Sequence, residues 1–173
     1  MKIELERTFL LKNLPENFQH CPSAEYLDLY LPQPAVHPVL RVRKKGNTFE
    51  ITKKLPKEND PSEQEEQTII LSEEEFFALT TLPGKKLRKI RYYYPFNNQT
   101  AEIDLFLDEL EGLGLVDFEF SSVKEKENFS MPKFCLVDVT YEEAIAGGIL
   151  AGKKYSDLQP FLDKYNYKKL RHN

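Results

Sequence analysis

Ionisable residues recur two positions apart in five segments that are otherwise rich in apolar residues. Successive side chains of a β-strand point to opposite faces, so both members of each pair lie on one face of their strand. The alternate face is apolar and must be buried, which leaves the charged face to line either the solvent or an interior cavity. The pairs are Glu4/Glu6, Arg41/Arg43, Lys89/Arg91, Glu102/Asp104 and Asp117/Glu119.

A cavity that held these pairs would need ligands of both signs. Two like charges about 6 Å apart repel by roughly 3 kcal/mol at an effective dielectric constant of about 20. A phosphate chain matches the cations, because arginine binds phosphate oxygens in pairs and lysine supplies a point charge. Carboxylates without histidine or cysteine favour Mg²⁺ or Mn²⁺ over zinc. The pattern therefore predicts a site for a polyanion and a hard divalent cation.

The charges are also grouped along the chain, although the net charge is only −4. Segment 41–57 carries seven basic residues against Glu50, and segment 85–91 carries five basic residues and no acid. Segment 102–127 carries nine acidic residues against two lysines. Such strand-sized groups of one sign indicate a binding site rather than an evenly solvated surface.

Most of the chain has the pattern of short strands joined by tight turns. Alternation of apolar and polar residues, together with the turn pairs Gly46-Asn47 and Asn97-Asn98, predicts two β-hairpins. Segment 56–64 is predicted to be a polar loop. The predicted strands are 3–11, 39–45, 48–55, 65–71, 86–96, 100–107, 115–123 and 134–140.

Three helices are predicted to begin at Ser72, Thr140 and Ser156, each followed three residues later by Glu or Gln. The expected fold class is therefore α+β. A single domain over residues 1–173 would contain eight antiparallel strands that close into a β-barrel, with a few flanking helices.

Composition excludes several classes of protein. The 173 residues are 40% hydrophobic and 30% charged, which suits a packed core and excludes a wholly disordered chain. No segment approaches the roughly 20 apolar residues of a membrane span, and Lys2 and Glu4 interrupt the apolar run that a secretory signal needs. Cys21 and Cys135 lack metal-ligand spacing and are expected to be reduced thiols. The sequence thus predicts a cytoplasmic protein without membrane contact.

These residues resemble a known family. Glu4-Leu-Glu6-Arg-Thr8-Phe9 looks like the N-terminal Glu-x-Glu-x-Lys signature of the CYTH domain, whose members are the triphosphate tunnel metalloenzymes. Further matches follow in family order through nearly the whole chain. They are Leu40-Arg-Val-Arg43-Lys44, Ile51-Thr-Lys-Lys54, Glu66-Gln-Thr-Ile69, Lys89-Ile-Arg91-Tyr92, Glu102-Ile-Asp104-Leu-Phe106, Gly112-Leu113, Asp117-Phe-Glu119-Phe120 and Asp138-Val-Thr140.

The resemblance implies an eight-stranded antiparallel tunnel and metal-dependent hydrolysis of a triphosphate, with Mg²⁺ or Mn²⁺ as the cofactor. The implied substrate is inorganic triphosphate, thiamine triphosphate or a nucleoside triphosphate. Carried over by position, the substrate-binding residues are Arg41, Arg43, Lys54, Glu66, Lys89 and Arg91. The implied metal ligands are Glu4, Glu6, Asp104, Asp117 and Glu119, and of these Glu4, Glu6 and Glu119 are also implied to be catalytic.

The chain departs from the family pattern at three places. Thr8 stands where the signature has lysine, which removes a cation from the phosphate site. Asp117 occupies a position where the family usually has glutamate. Segment 146–152 replaces the usual Tyr-x-Asn-x-x-Leu stretch.

Other functions remain open at this stage. A class IV adenylyl cyclase would cyclise its triphosphate, and a domain without the signature lysine could bind polyphosphate or nucleotide without turnover. Basic hairpins with nearby tyrosines can also bind single-stranded nucleic acid, but the negative net charge and the acidic segment argue against it. We expect a monomer or a homodimer.

Overall fold

The structure is a computed structural model that describes residues 2–57 and 60–171. It has an α+β fold, dominated by one antiparallel sheet of nine strands within the described residues. The strands are β1 (Lys2–Leu11), β2 (Ser23–Leu31), β3 (Leu40–Lys45), β4 (Thr48–Lys57), β5 (Asp60–Leu71), β6 (Lys85–Phe96), β7 (Gln99–Phe106), β8 (Gly114–Phe120) and β9 (Cys135–Asp138). The α-helices are α1 (Glu73–Leu79), α2 (Val123–Asn128), α3 (Gly147–Leu150) and α4 (Tyr155–Asp163).

The strands follow one another in the order β5-β4-β3-β2-β6-β7-β8-β1-β9. Every pairing is antiparallel, and β1 also pairs with β5, so that residues 2–5 lie opposite 63–66. The expected antiparallel α+β architecture is confirmed. Closure of the strands into a complete barrel stays a prediction.

The expectation of eight strands was wrong because β2 was missed. In β2, Tyr26, Asp28 and Tyr30 on one face are buried, and Leu29 and Leu31 on the other face are buried as well. A strand covered on both sides has no polar face and shows no alternation in its sequence. The predicted polar loop 56–64 was also too long, since β4 reaches residue 57 and β5 begins at residue 60, while residues 58 and 59 lie outside the described part of the chain.

Two of the three predicted helices form, and the expected cap is found at Ser72. Ser72 caps α1, because its side chain accepts a hydrogen bond from the Glu75 N–H while the Glu75 carboxylate accepts one from the Ser72 N–H. Helix α4 begins one residue before the expected Ser156. Thr140 begins no helix: its Oγ1 accepts the Thr8 N–H at 3.0 Å, and the chain reaches the short α3 only after a 3₁₀ turn.

Three apolar clusters hold the sheet in place and leave one face of it free for charged groups. Outward residues of β1, β7 and β8, including Phe9, Ile103 and Phe118, form one cluster. A second cluster packs α1, through Phe76, against β2 and β3. The third cluster joins α3 and α4 to one end of the sheet. Within the described residues no helix is long and apolar enough to cross a membrane.

Candidate functional site

The inner faces of β1 to β8 line a cavity of about 670 Å³, with β2 contributing Tyr30. Strand alternation accounts for this arrangement: in β7, for example, Ala101 and Ile103 enter the outer apolar cluster while Glu102 and Asp104 face the cavity. All of the predicted site residues line this one cavity. They are Glu4, Glu6, Arg41, Arg43, Lys54, Glu66, Lys89, Arg91, Asp104, Asp117 and Glu119.

Acidic residues outnumber basic ones in the cavity wall. Ten acidic and six basic side chains line it. A wall with such an excess of negative charge would repel a free polyphosphate, because like charges in a partly enclosed site are weakly screened. Additional positive charge is therefore needed before a polyanion can enter.

The carboxylates of β1 and β8 are neighbours across the sheet. Glu6 lies directly opposite Glu119, and Thr8 lies opposite Asp117. Burial raises the pKa of Glu6 to about 7; Lys54 opposes this rise, and the carboxylates of Asp117 and Glu4 add to it. Several carboxyl groups therefore lie close together in this part of the wall, and one of them, Glu6, ionises less readily than a free glutamate.

Lys54 from β4 faces the acidic end of β1. Its ammonium group donates a hydrogen bond to Glu4 Oε2 at 2.6 Å and lies 3.2 Å from Glu66 Oε2. Glu66 is directly opposite Lys54 in the β4–β5 register, so the sheet itself fixes this contact. The pairing lowers the pKa of Glu66 although burial alone would raise it.

Arg91 from β6 binds carboxylates of β7 and β8. It donates to both oxygens of Asp104 at 2.6 Å and to Asp117 Oδ2 at 2.8 Å, and it also binds Glu102. Lys89, two residues earlier on the same face, binds Asp104 as well. Burial opposes ionisation of Asp104, but Arg91 and Lys89 hold its pKa at about 2.

Arg41 differs from the other predicted phosphate-binding cations. Within the described residues it forms no ion pair with a carboxylate, and its Nε is buried without a hydrogen-bond partner. A buried guanidinium N–H normally has an acceptor. Arg41 therefore offers a donor that an incoming anion can satisfy.

Sequence reasoning missed several charged residues of this region. Those in the cavity wall include Glu50, Glu142 and Glu143. Lys45 also lines the cavity, and the spacing Arg41, Arg43, Lys45 was the available signal. Asp28 on β2 binds Arg43 through both of its oxygens, at 2.6 and 2.7 Å. Asp28 was missed because its strand was missed.

No protein-family model matches the chain. The inorganic triphosphatase of Nitrosomonas europaea is 28% identical over 149 residues, which are 86% of this chain and 96% of that protein. The crystal structure of an inorganic triphosphatase aligns with a TM-score of 0.65 at 26% identity, over 88% of this chain and 97% of the other. The resemblance to the CYTH superfamily is confirmed. A protein from Pyrococcus horikoshii shares the fold, with a TM-score of 0.51 at 23% identity over 72% of this chain and 83% of its own.

Thr8 stands at the position where the CYTH signature has lysine. Its Oγ1 donates a hydrogen bond to Asp117 Oδ1 at 2.8 Å. Lys12, the nearest lysine that could replace the missing cation, is exposed beyond the end of β1 and is not part of the cavity wall. A hydroxyl group therefore takes the place of an ammonium group beside Asp117.

Proposed function

We propose that the chain hydrolyses the terminal phosphoanhydride bond of a triphosphate, with inorganic triphosphate as the first candidate and Mg²⁺ or Mn²⁺ as the cofactor. The observation that carries this proposal is the single cavity whose wall combines phosphate-binding cations with an excess of carboxylates. The relative from Nitrosomonas europaea, which is called an inorganic triphosphatase, supports the choice of substrate.

We further propose that β1 to β8 enclose the cavity as a tunnel, with β9 outside it. The pairing of β1 with both β8 and β5 supports this arrangement, because it brings the ends of the eight-strand series together. A surrounding wall would exclude bulk water and so strengthen each electrostatic contact with the substrate.

The cations of the wall would bind and orient the phosphate chain. Arg41 would bind first because its Nε has no partner to give up. Arg43, Lys54 and Lys89 would contact phosphate oxygens with the N–H groups that their carboxylates leave free. Arg91, whose N–H groups bind several carboxylates, would contribute mainly by positive charge.

The donor chemistry of the wall fits a hard divalent cation. Within residues 2–57 and 60–171 no three carboxylate, histidine or thiol side chains are already gathered around an ion position. However, the opposed pair Glu6 and Glu119, with Glu4 and Asp117 beside it, offers oxygen ligands alone, which suit Mg²⁺ or Mn²⁺. When bound, the cation would neutralise charge on the phosphate oxygens. Asp104, which already binds two cations, would mainly hold Lys89 and Arg91 in place.

In this scheme water attacks the terminal phosphorus atom and the bond to the bridging oxygen breaks, which gives orthophosphate and diphosphate. A carboxylate of the Glu6–Glu119 pair would accept the proton of the attacking water. The phosphate-binding cations would keep the reacting groups aligned and stabilise the charge that builds up during transfer.

The first test is release of orthophosphate by the purified chain. With inorganic triphosphate, we expect release in Mg²⁺ or Mn²⁺ and none after chelation with EDTA. Thiamine triphosphate and ATP, assayed in parallel, would rank the organic substrates. Absence of release from all three substrates, with either metal, would contradict the hydrolase proposal.

A binder without turnover is the second candidate, and the absence of a lysine at Thr8 favours it. A ligand that binds only the native state raises the melting temperature by mass action. An increase with inorganic triphosphate and Mg²⁺, in a preparation that releases no orthophosphate, would identify the binder. Formation of a cyclic product from ATP would instead identify a cyclase.

Thr8→Lys should restore the missing cation. An ammonium group beside Asp117 would offset the acidic excess of the wall, so we expect the KM for inorganic triphosphate to fall by about tenfold, as for one added charge-assisted contact. Thr8→Met is the control, since it has similar length without the charge. Equal KM values for the two variants would show that position 8 does not meet the phosphate chain.

A further inference from the structure

Asp28 is a buried carboxylate on the inner face of β2, beside the cavity. Strand β2 lies between β3 and β6, and Asp28 is directly opposite Arg43 in the β2–β3 register. Only 1% of its surface is exposed. It is absent from the wall of the cavity, whereas Arg43 is part of that wall.

The contact fixes one edge of the Arg43 guanidinium. Nε donates to Asp28 Oδ1 at 2.6 Å and Nη2 donates to Oδ2 at 2.7 Å, which is the bidentate geometry of a strong arginine–carboxylate pair. The group also lies over the ring of Tyr26, 4.6 Å from its centre. Within the described residues Nη1 has no hydrogen-bond partner, so this remaining amino group is left for the cavity.

Asp28 also supplies negative charge to a group of cations that would otherwise repel one another. Burial alone would raise its pKa, but Arg43, followed by Arg41 and Lys89, holds that pKa below its usual value. These three cations all line the cavity. One buried carboxylate therefore supports several phosphate-binding groups without itself lining the cavity.

The energetics of buried ion pairs point beyond a purely structural role. Removing two charges from water is costly, and well-packed apolar residues often replace a buried ion pair without loss of stability. An ion pair can assist binding when one of its members lines the cavity. The partner holds that side chain in place before the ligand arrives, so less conformational entropy is lost on binding.

We propose that Asp28 is a positioning residue that holds Arg43 with one edge turned to the cavity, ready for a phosphate group. This inference rests on the proposed function, because it assigns the role of a residue toward the same triphosphate. Asp28 itself would not contact the substrate.

The test is a double-mutant cycle on binding of inorganic triphosphate in the presence of Mg²⁺. The variants are Asp28→Asn, Arg43→Met and their combination, with Asp108→Asn as the matched control because Asp108 pairs with Arg88 at the surface. We expect Asp28→Asn to raise the Kd and the KM by about tenfold or more, with kcat changed by less than about threefold. In the Arg43→Met background the same change should have no further effect, and Asp108→Asn should bind like the wild type.

The outcomes separate the two proposals. Wild-type binding by folded Asp28→Asn, or an effect that simply adds to that of Arg43→Met, would overturn the role of Asp28 and leave the triphosphate site intact. A wild-type chain that binds no triphosphate would overturn the proposed function and this inference together.

A second measurement covers the case in which Asp28→Asn does not fold. NMR of the ¹⁵N-labelled wild type without ligand should show slow rotation of the Arg43 side chain about its Nε–Cζ bond. The Arg43 signal is assigned by its absence from the spectrum of Arg43→Lys. Slow rotation before triphosphate is added supports the proposal. Free rotation that becomes slow only with triphosphate would overturn it.

Discussion

Glu6→Gln is expected to abolish turnover and at the same time stabilise the metal-free protein. Loss of a carboxylate from the proposed metal and water site should lower kcat by more than about a hundredfold. The stabilisation follows from the pKa of Glu6, which burial raises to about 7. A carboxyl group whose pKa is higher in the folded than in the unfolded protein stabilises the fold fully at pH values below the unfolded-state pKa. This stabilisation is lost as the pH rises through the folded-state pKa.

The stability difference between Glu6→Gln and the wild type should therefore depend on pH in a defined way. Glutamine resembles the protonated acid at every pH, so the gain should vanish below about pH 4.5 and reach about 3 kcal/mol above about pH 7. Urea unfolding at several pH values, with EDTA present, would measure it. A variant that keeps the wild-type rate with Mg²⁺ would show that Glu6 belongs to neither the metal site nor the reaction.

Much of the site could be predicted because strand geometry is local. A spacing of two residues places Glu4 with Glu6, and Glu102 with Asp104, on one face whatever the rest of the chain does. Their apolar neighbours then decide which face is buried against the outer cluster. The contribution of the recognised strands to the cavity wall follows from these two rules, whereas segments 37–39 and 140–150 also line it.

The pairing of charges inside the cavity could not be predicted in the same way. The β6–β7 hairpin turn places Arg91 opposite Asp104, but the contact of Arg91 with Asp117 depends on the pairing of β7 with β8, which no tight turn sets. Asp28 escaped notice because β2 is covered on both faces and lacks the alternation that marks a strand. A helix was expected from Thr140 to about Gly152, but Thr140 binds the β1 backbone instead and the helix is reduced to α3.

Arg91→Met is expected to destabilise the fold more than any other single change at the site. Arg91 binds Asp104, Glu102 and Asp117 at once, so its loss removes this cation from three enclosed carboxylates, of which Asp104 keeps Lys89. Removing one partner of a buried ion pair typically costs about 3–5 kcal/mol. The side chain of methionine is long enough to occupy much of the same space, so that the loss reports on charge more than on packing.

Arg88→Met is the matched control, because Arg88 lies on the same strand and also binds two carboxylates, Glu25 and Asp108, both at 2.8 Å. Those contacts are at the surface, where ion pairs contribute about 1 kcal/mol or less. Urea unfolding of both variants should therefore show a several-fold larger loss for Arg91→Met. The pKa of Asp104, held at about 2, makes this effect depend on pH. The loss of unfolding free energy in Arg91→Met should be complete above about pH 4 and should become smaller as the pH falls toward 2. Equal losses for the two variants would mean that the carboxylates around Arg91 are neutralised by other means.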